Sequence, residues 1–165
     1  MRMPILAILL AAAGVALQPA TVRAQGAVLV KPGESRAVIG AAEAHEKASK
    51  GELVLVDIRH PEEWKETGVP ASGHAITMHQ KGSDFLTKLA AATGGDTSRP
   101  VAIICATGSR TSFLQGPLAE VGFKAVLDVS EGMMGSRAGK GWLKAGLPVR
   151  KFAAGAEAPV GVARQ

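Results

Sequence analysis

Three short runs of aliphatic, largely β-branched residues constrain this chain most: Leu53-Val54-Leu55-Val56, Val101-Ala102-Ile103-Ile104 and Ala125-Val126-Leu127-Asp128-Val129. Each is too short for a core helix and is apolar at successive rather than alternate positions. That is the pattern of a strand covered on both faces. Segments with helical signals separate them. Asp84 to Ala92 places Phe85, Leu86 and Leu89 at helical spacing, and Phe113 to Val121 ends at Gly122. Ile39 to Ser49 reads as a helix stopped by Gly51, and Pro61-Glu62-Glu63-Trp64 as a helix start with Pro in the first turn and acids near the positive dipole end. Ala27 to Lys31 and Ala75 to Met78 read as further short strands, Thr93 to Pro100 as a polar loop, and Trp142 to Ala145 as the end of a short helix. Alternating strands and helices predict an α/β fold with a largely parallel central sheet flanked by helices.

The N-terminal segment stands apart from this pattern. A positive Met1-Arg2 start, an apolar run from Ile5 to Leu17 and small residues at Val22 and Ala24 predict a signal peptide over residues 1–24, cut after Ala24. The apolar run is short for a membrane span, so no stable membrane insertion is expected after cleavage; a retained anchor is the alternative. The expected compartment is periplasmic or extracellular. The remaining length suggests one domain, and the Ala-, Gly- and Pro-rich residues 151–165 are expected to form a flexible tail. Loss of Arg2 and Arg23 leaves seventeen cationic against fourteen acidic side chains, a formal charge of +3. With no Lys/Arg block and no Tyr, this argues against a nucleic-acid partner and fits a small anionic substrate.

Cys105 is the only cysteine. It cannot form an internal disulfide, and in an oxidising compartment a leftover thiol is a liability unless buried or used. It closes one of the predicted strands and opens the turn Cys105-Ala106-Thr107-Gly108-Ser109-Arg110-Thr111, after which Ser112-Phe113-Leu114 can begin a helix. Backbone N–H groups and a helix N-terminus aimed at one sulfur favour its ionised, nucleophilic form. The bland reading, a small buried hydrophobe, loses ground to the spacing of Gly108 and Arg110.

That loop, taken in order with Asp57-Ile58-Arg59, Pro61-Glu62-Glu63-Trp64, Glu131-Gly132-Met133 and Gly146-Leu147-Pro148-Val149, resembles a single-domain rhodanese over about Ser35 to Arg150. The resemblance implies a rhodanese-like fold and a sulfurtransferase working through a Cys105 persulfide. Cys105 takes the outer sulfur of thiosulfate or a similar small anionic donor and passes it to cyanide, a small thiol or a protein thiol. Ala106, Thr107, Gly108, Ser109 and Arg110 form the substrate-binding loop. Their N–H groups converge on the persulfide, Thr107 and Ser109 donate further hydrogen bonds, and Arg110 orients the loop. Ala106 stands where the family often carries Arg, Gln or Ser. Gly68-Val69-Pro70-Ala71 is aligned with the family's Ile-Pro segment, leaving Gly73-His74 in a loop and His74 without a role; the alternative alignment makes His74 the family's histidine.

Two other readings compete. One is a persulfide carrier or partner-binding module without turnover. The other is a cysteine phosphatase or arsenate reductase, which typically places five residues between Cys and Arg; here four intervene, and the smaller ring suits one sulfur atom. Asp57 and Arg59 are read as supporting residues, Trp64 and Trp142 as packing, His45 as solvated, His60 and His79 as loop residues, and the stretch from Gly132 to Gly141 as tight turns. No metal and no cofactor are expected, because no histidines and carboxylates share a metal-ligand spacing.

Overall fold

The predicted apolar runs become neighbouring parallel strands. The computed structural model describes residues 37–153. The expected signal segment, the strand expected at Ala27 to Lys31 and most of the expected tail lie outside the described residues. In chain order the elements are β1 (Val38–Ile39), α1 (Ala41–Ser49), β2 (Val54–Asp57), α2 (Pro61–Thr67), β3 (Val69–Pro70), β4 (Gly73–Ala75), α3 (Gly82–Thr93), β5 (Val101–Ile104), α4 (Ser109–Glu120), β6 (Val126–Val129), α5 (Gly141–Lys144) and β7 (Val149–Arg150). Five strands form one parallel sheet in the order β1-β6-β5-β2-β4, and β3 and β7 pair antiparallel beside it.

Alternation along each strand sends side chains to two cores. Val54 and Val56 on β2 and Val101 and Ile103 on β5 meet Phe85, Leu89 and Leu118 of α3 and α4. Leu55, Ala102 and Ile104 face the other way and meet Ala41, Ala44 and Trp142 of α1 and α5. Cys105 continues the first set, so its side chain turns toward the face that carries α4. Asp57 lies opposite Ile104, and Ile58 N–H donates to the Ile104 carbonyl at 2.9 Å. The loops leaving β2 and β5 therefore emerge side by side where the strand order turns back, the place at which open parallel sheets form a crevice.

Several boundaries differ from the sequence reading. Ile39 belongs to β1, not to the first helix. Val38 is exposed and Ile39 buried, as in a strand half-covered by its neighbour. The helix starts at Ala41 because its N–H finds the Glu131 carboxylate at 3.0 Å, an acceptor ninety residues away. Gly73 and His74 are strand residues, not a loop. Hydrogen bonds from Ile76 and Met78 to the Asp57 and Ile58 carbonyls then carry the pairing onward through the stretch expected as a strand. α4 begins at Ser109, four residues before Phe113. His45 is half-buried with its ring edge-on to Trp142 at 5.6 Å, and Phe152, in the expected tail, packs against Trp64 at 4.9 Å.

Candidate active site

Cys105 is wholly buried immediately beyond β5. Its carbonyl accepts Met133 N–H at 2.8 Å, and that of Ala106 accepts Met134 N–H at 2.9 Å. The cysteine loop is thus stitched to the segment after β6. Two glycines permit this contact. Gly108 has φ +87°, and a Cβ there would come 2.5 Å from the Ser130 carbonyl; Gly132 has φ +65°, and a Cβ there would strike the Ala106 carbonyl. Glu131 secures the same segment by accepting N–H groups from Ala41 at 3.0 Å and Gly141 at 3.1 Å, at the heads of α1 and α5. The stretch from Gly132 to Gly141 makes tight turns, with Ser136 and Gly139 bridged to each other.

Gly108 N–H donates to Cys105 Sγ at 3.2 Å. Gly108 is also the N-cap of α4, with no side-chain cap on the helix. The sulfur therefore lies at the positive end of a twelve-residue helix whose first N–H groups lack intrahelical acceptors. Ala106 is half-buried, and Thr107 and Ser109 are exposed at the loop surface. The hydroxyl that reaches the resting sulfur belongs to Thr111, with Oγ1 3.8 Å from Sγ. Thr111 Oγ1 also lies 2.8 Å from the Gly108 carbonyl and 2.5 Å from Asp128 Oδ1. Thr111 and Asp128 are both buried.

Arg110 interacts electrostatically with Cys105 and is gripped from the other side by Glu63, with Nη1–Oε2 and Nη2–Oε1 both 2.7 Å. These hydrogen bonds hold the Glu63 carboxyl down to about 2 and raise the Arg110 guanidinium. Glu63 Oε2 also accepts His60 N–H at 3.0 Å, closing a box at the head of α2. The His60 and His79 rings stack with centroids 3.4 Å apart, and His79 Nε2 lies 3.4 Å from Arg110 Nη1. Partial burial lowers the His79 pKa, with further contributions from His60 and Arg110.

Asp57 and Arg59 form a separate clamp. The carboxylate accepts Arg59 Nε at 2.9 Å and Nη2 at 2.7 Å, while Nη1 reaches Thr67 Oγ1 at 2.8 Å and Nη2 the Gly68 carbonyl at 2.7 Å. The pair ties the end of β2 to the end of α2. Sequence reasoning reads Glu63 only as an acid at a helix start and the two stacked histidines only as loop residues, and it assigns no separate role to Thr111 or Asp128. Asp128 carried a signal, a lone acid in an apolar run; His79 carried none.

Comparison with known proteins agrees with this architecture. A family model described as "Rhodanese-like domain" matches residues 40–138. An uncharacterized protein of Rickettsia prowazekii is 26% identical over 98 residues, covering 57% of this chain and 80% of that protein. A crystal structure from M. tuberculosis matches at TM-score 0.53 with 27% identity, over 72% of this chain and all of that one. The solution structure of a polysulfide-sulfur transferase homodimer from Wolinella succinogenes matches at TM-score 0.51 with 24% identity, over 72% of this chain and 80% of that one.

Proposed function

The chain belongs to the family of rhodanese-like domains, and on that footing we propose that it is an exported sulfurtransferase that carries one sulfur atom as a Cys105 persulfide. The observation that carries the reading is Cys105 Sγ accepting Gly108 N–H at the head of α4, with Arg110 beside it. Fixed N–H donors and a helix dipole stabilise an anionic sulfur without reorganising when it forms. The compact loop, with four residues between Cys105 and Arg110, favours a single sulfur over a tetrahedral oxyanion.

In the proposed reaction Sγ attacks the outer sulfur of thiosulfate and sulfite leaves with the electron pair of the broken S–S bond. Cyanide or a thiol then removes the sulfur. Polysulfide is a second donor to examine, since a protein of the same fold is a polysulfide-sulfur transferase. Intact-mass measurement after incubation with each donor tests the reading. Wild type gains one sulfur and Cys105→Ser gains none. Equal turnover of thiosulfate and cyanide by Cys105→Ser would sink the mechanism. The complete burial of Cys105 supports a second reading, a carrier that holds sulfur without rapid turnover; it predicts a persulfide mass with no steady-state thiocyanate production.

A further inference from the structure

Exposed apolar side chains are usually scattered singly and need no partner. Here their placement is uneven. Among the described residues five large apolar side chains are exposed: Val38, Phe113, Val121, Met134 and Val149. Phe113, the most exposed at 69%, and Met134, at 47%, both flank the Cys105 loop. Phe113 stands one helical turn beyond Ser109 on the outward face of α4, which continues through Gly116 and Pro117. The charged residues of α4 are Arg110, turned to Glu63, and Glu120 at the far end, so this face is uncharged beside the loop. Met134 flanks the loop from the segment after β6, its N–H on the Ala106 carbonyl at 2.9 Å. Thr107 and Ser109, both exposed, come between them along the loop. One flank of this strip is cationic. Beyond Met134 the chain turns back between Ser136 and Gly139, and Ser136 Oγ donates to the Ser130 carbonyl at 2.8 Å. That carbonyl lies against Gly108 at the head of α4. The turn therefore carries Arg137 and Lys140 close to the loop. Both are exposed, and neither forms an ion pair among the described residues. The acid of that segment, Glu131, is engaged by the Ala41 and Gly141 N–H groups. On the α2 side, Glu63 is tied to Arg110 and Glu62 is exposed.

Resting on the sulfurtransferase reading, we propose that Phe113, Met134, Arg137 and Lys140 form a docking surface for the sulfur acceptor, and that this acceptor is a protein thiol on an acidic, apolar-anchored segment. Burial sets the shape of the partner. Cys105 is wholly buried, so the partner's cysteine must project toward it. An apolar side chain beside that cysteine packs on Phe113 and Met134, and acidic residues meet Arg137 and Lys140. Apolar anchors supply the contact, and the charges set orientation and encounter rate. A strip with two apolar anchors is small, as suits a partner that leaves after each transfer. At the docked loop the partner's thiolate attacks the outer sulfur of the Cys105 persulfide. A new S–S bond forms on the partner, the old one breaks, and its electron pair stays on Cys105 Sγ. One thiolate enters and one is left behind, so charge and electrons balance without a further reactant.

The test loads the full chain with thiosulfate or inorganic polysulfide and follows, by mass, the transfer of one sulfur to three synthetic peptides and to cyanide. Each peptide has one cysteine. The first flanks it with leucine and aspartates, the second replaces the aspartates by lysines, and the third replaces the leucine by serine. Wild type is expected to favour the first peptide about tenfold over each of the others, and added salt is expected to erase its advantage over the lysine peptide. Phe113→Ser and Met134→Ser are expected to raise the half-saturating concentration of the first peptide about tenfold and to leave transfer to cyanide unchanged. Arg137→Glu combined with Lys140→Glu is expected to reverse the preference between the aspartate and lysine peptides. Loaded wild type that shows no preference among the peptides overturns the docking surface and leaves the sulfurtransferase reading standing, whether or not any variant folds. Variants that slow cyanide as much as peptide overturn it too, because the defect then lies in the cysteine loop. Self-association of wild type that Phe113→Ser abolishes assigns the face to a second copy of this chain and overturns the acidic partner. Failure of wild type to take sulfur from either donor overturns both proposals.

Discussion

Glu63→Gln tests how firmly the site arginine is held. A carboxyl that titrates near 2 in the folded chain instead of its ordinary 4.5 stabilises that chain by at most about 3 kcal/mol. The side chains of Arg110 and Glu63 are 24% and 28% exposed, so solvent screens the pair, and about 1 to 2 kcal/mol is the expected worth. Gln keeps one acceptor oxygen for Arg110 but turns an NH₂ group toward the other guanidinium nitrogen, so the paired geometry is lost. The folded-state value lies below the unfolded one. The stabilisation is therefore complete above about pH 4.5 and is lost as pH falls toward 2. Urea unfolding of wild type and Glu63→Gln at several pH values between neutral and about 2.5 measures this directly. The gap should be about 1 to 2 kcal/mol at neutral pH and close as the carboxylate is protonated. A gap that stays constant across that range would refute the argument, because the loss would then come from packing or from the box at the head of α2 rather than from charge.

Other outcomes follow from the same geometry. Gly132→Ala drives a Cβ into the Ala106 carbonyl at a positive φ and should cost about 2 kcal/mol or more in chemical denaturation, with slower sulfur loading because the cysteine loop must move. Arg59→Ala leaves the Asp57 carboxylate buried without its partner and should cost about 3 to 5 kcal/mol, read as a lowered denaturation midpoint. The proposed export requires that N-terminal sequencing of the chain, expressed with residues 1–24 in place, begin at Gln25; a retained Met1 would replace cleavage with an anchor.

The strands were legible because a strand buried on both faces leaves a mark that survives without tertiary context: Val101 to Ile104 emerged where the apolar run placed it. The edge strands were not. β1, β3 and β7 are two residues each, and a two-residue strand carries no period. The start of α1 was missed because its cap is the Glu131 carboxylate rather than a neighbouring side chain. At the site, the Cys105 loop was readable because its parts are contiguous. The Glu63 grip on Arg110 spans forty-seven positions and the Thr111–Asp128 contact seventeen. Such pairs exist only after parallel strands deliver distant loops to one end of the sheet.

The Glu63 grip also bears on what Arg110 contributes. A carboxylate held against the guanidinium largely cancels its charge toward an incoming anion, so Arg110 is a weaker electrostatic lure than its position suggests. What the ion pair supplies is placement. Two hydrogen bonds at 2.7 Å hold the planar guanidinium in one orientation beside Cys105, and the stacked His60 and His79 rings lie beside it, His79 against its Nη1. A donor fixed in advance adds more to a reacting sulfur than a mobile charge of full strength, because no reorganisation is needed as the anion forms. In the proposed reaction the remaining attraction for an anionic donor then comes from the N-terminus of α4 and the Gly108 N–H.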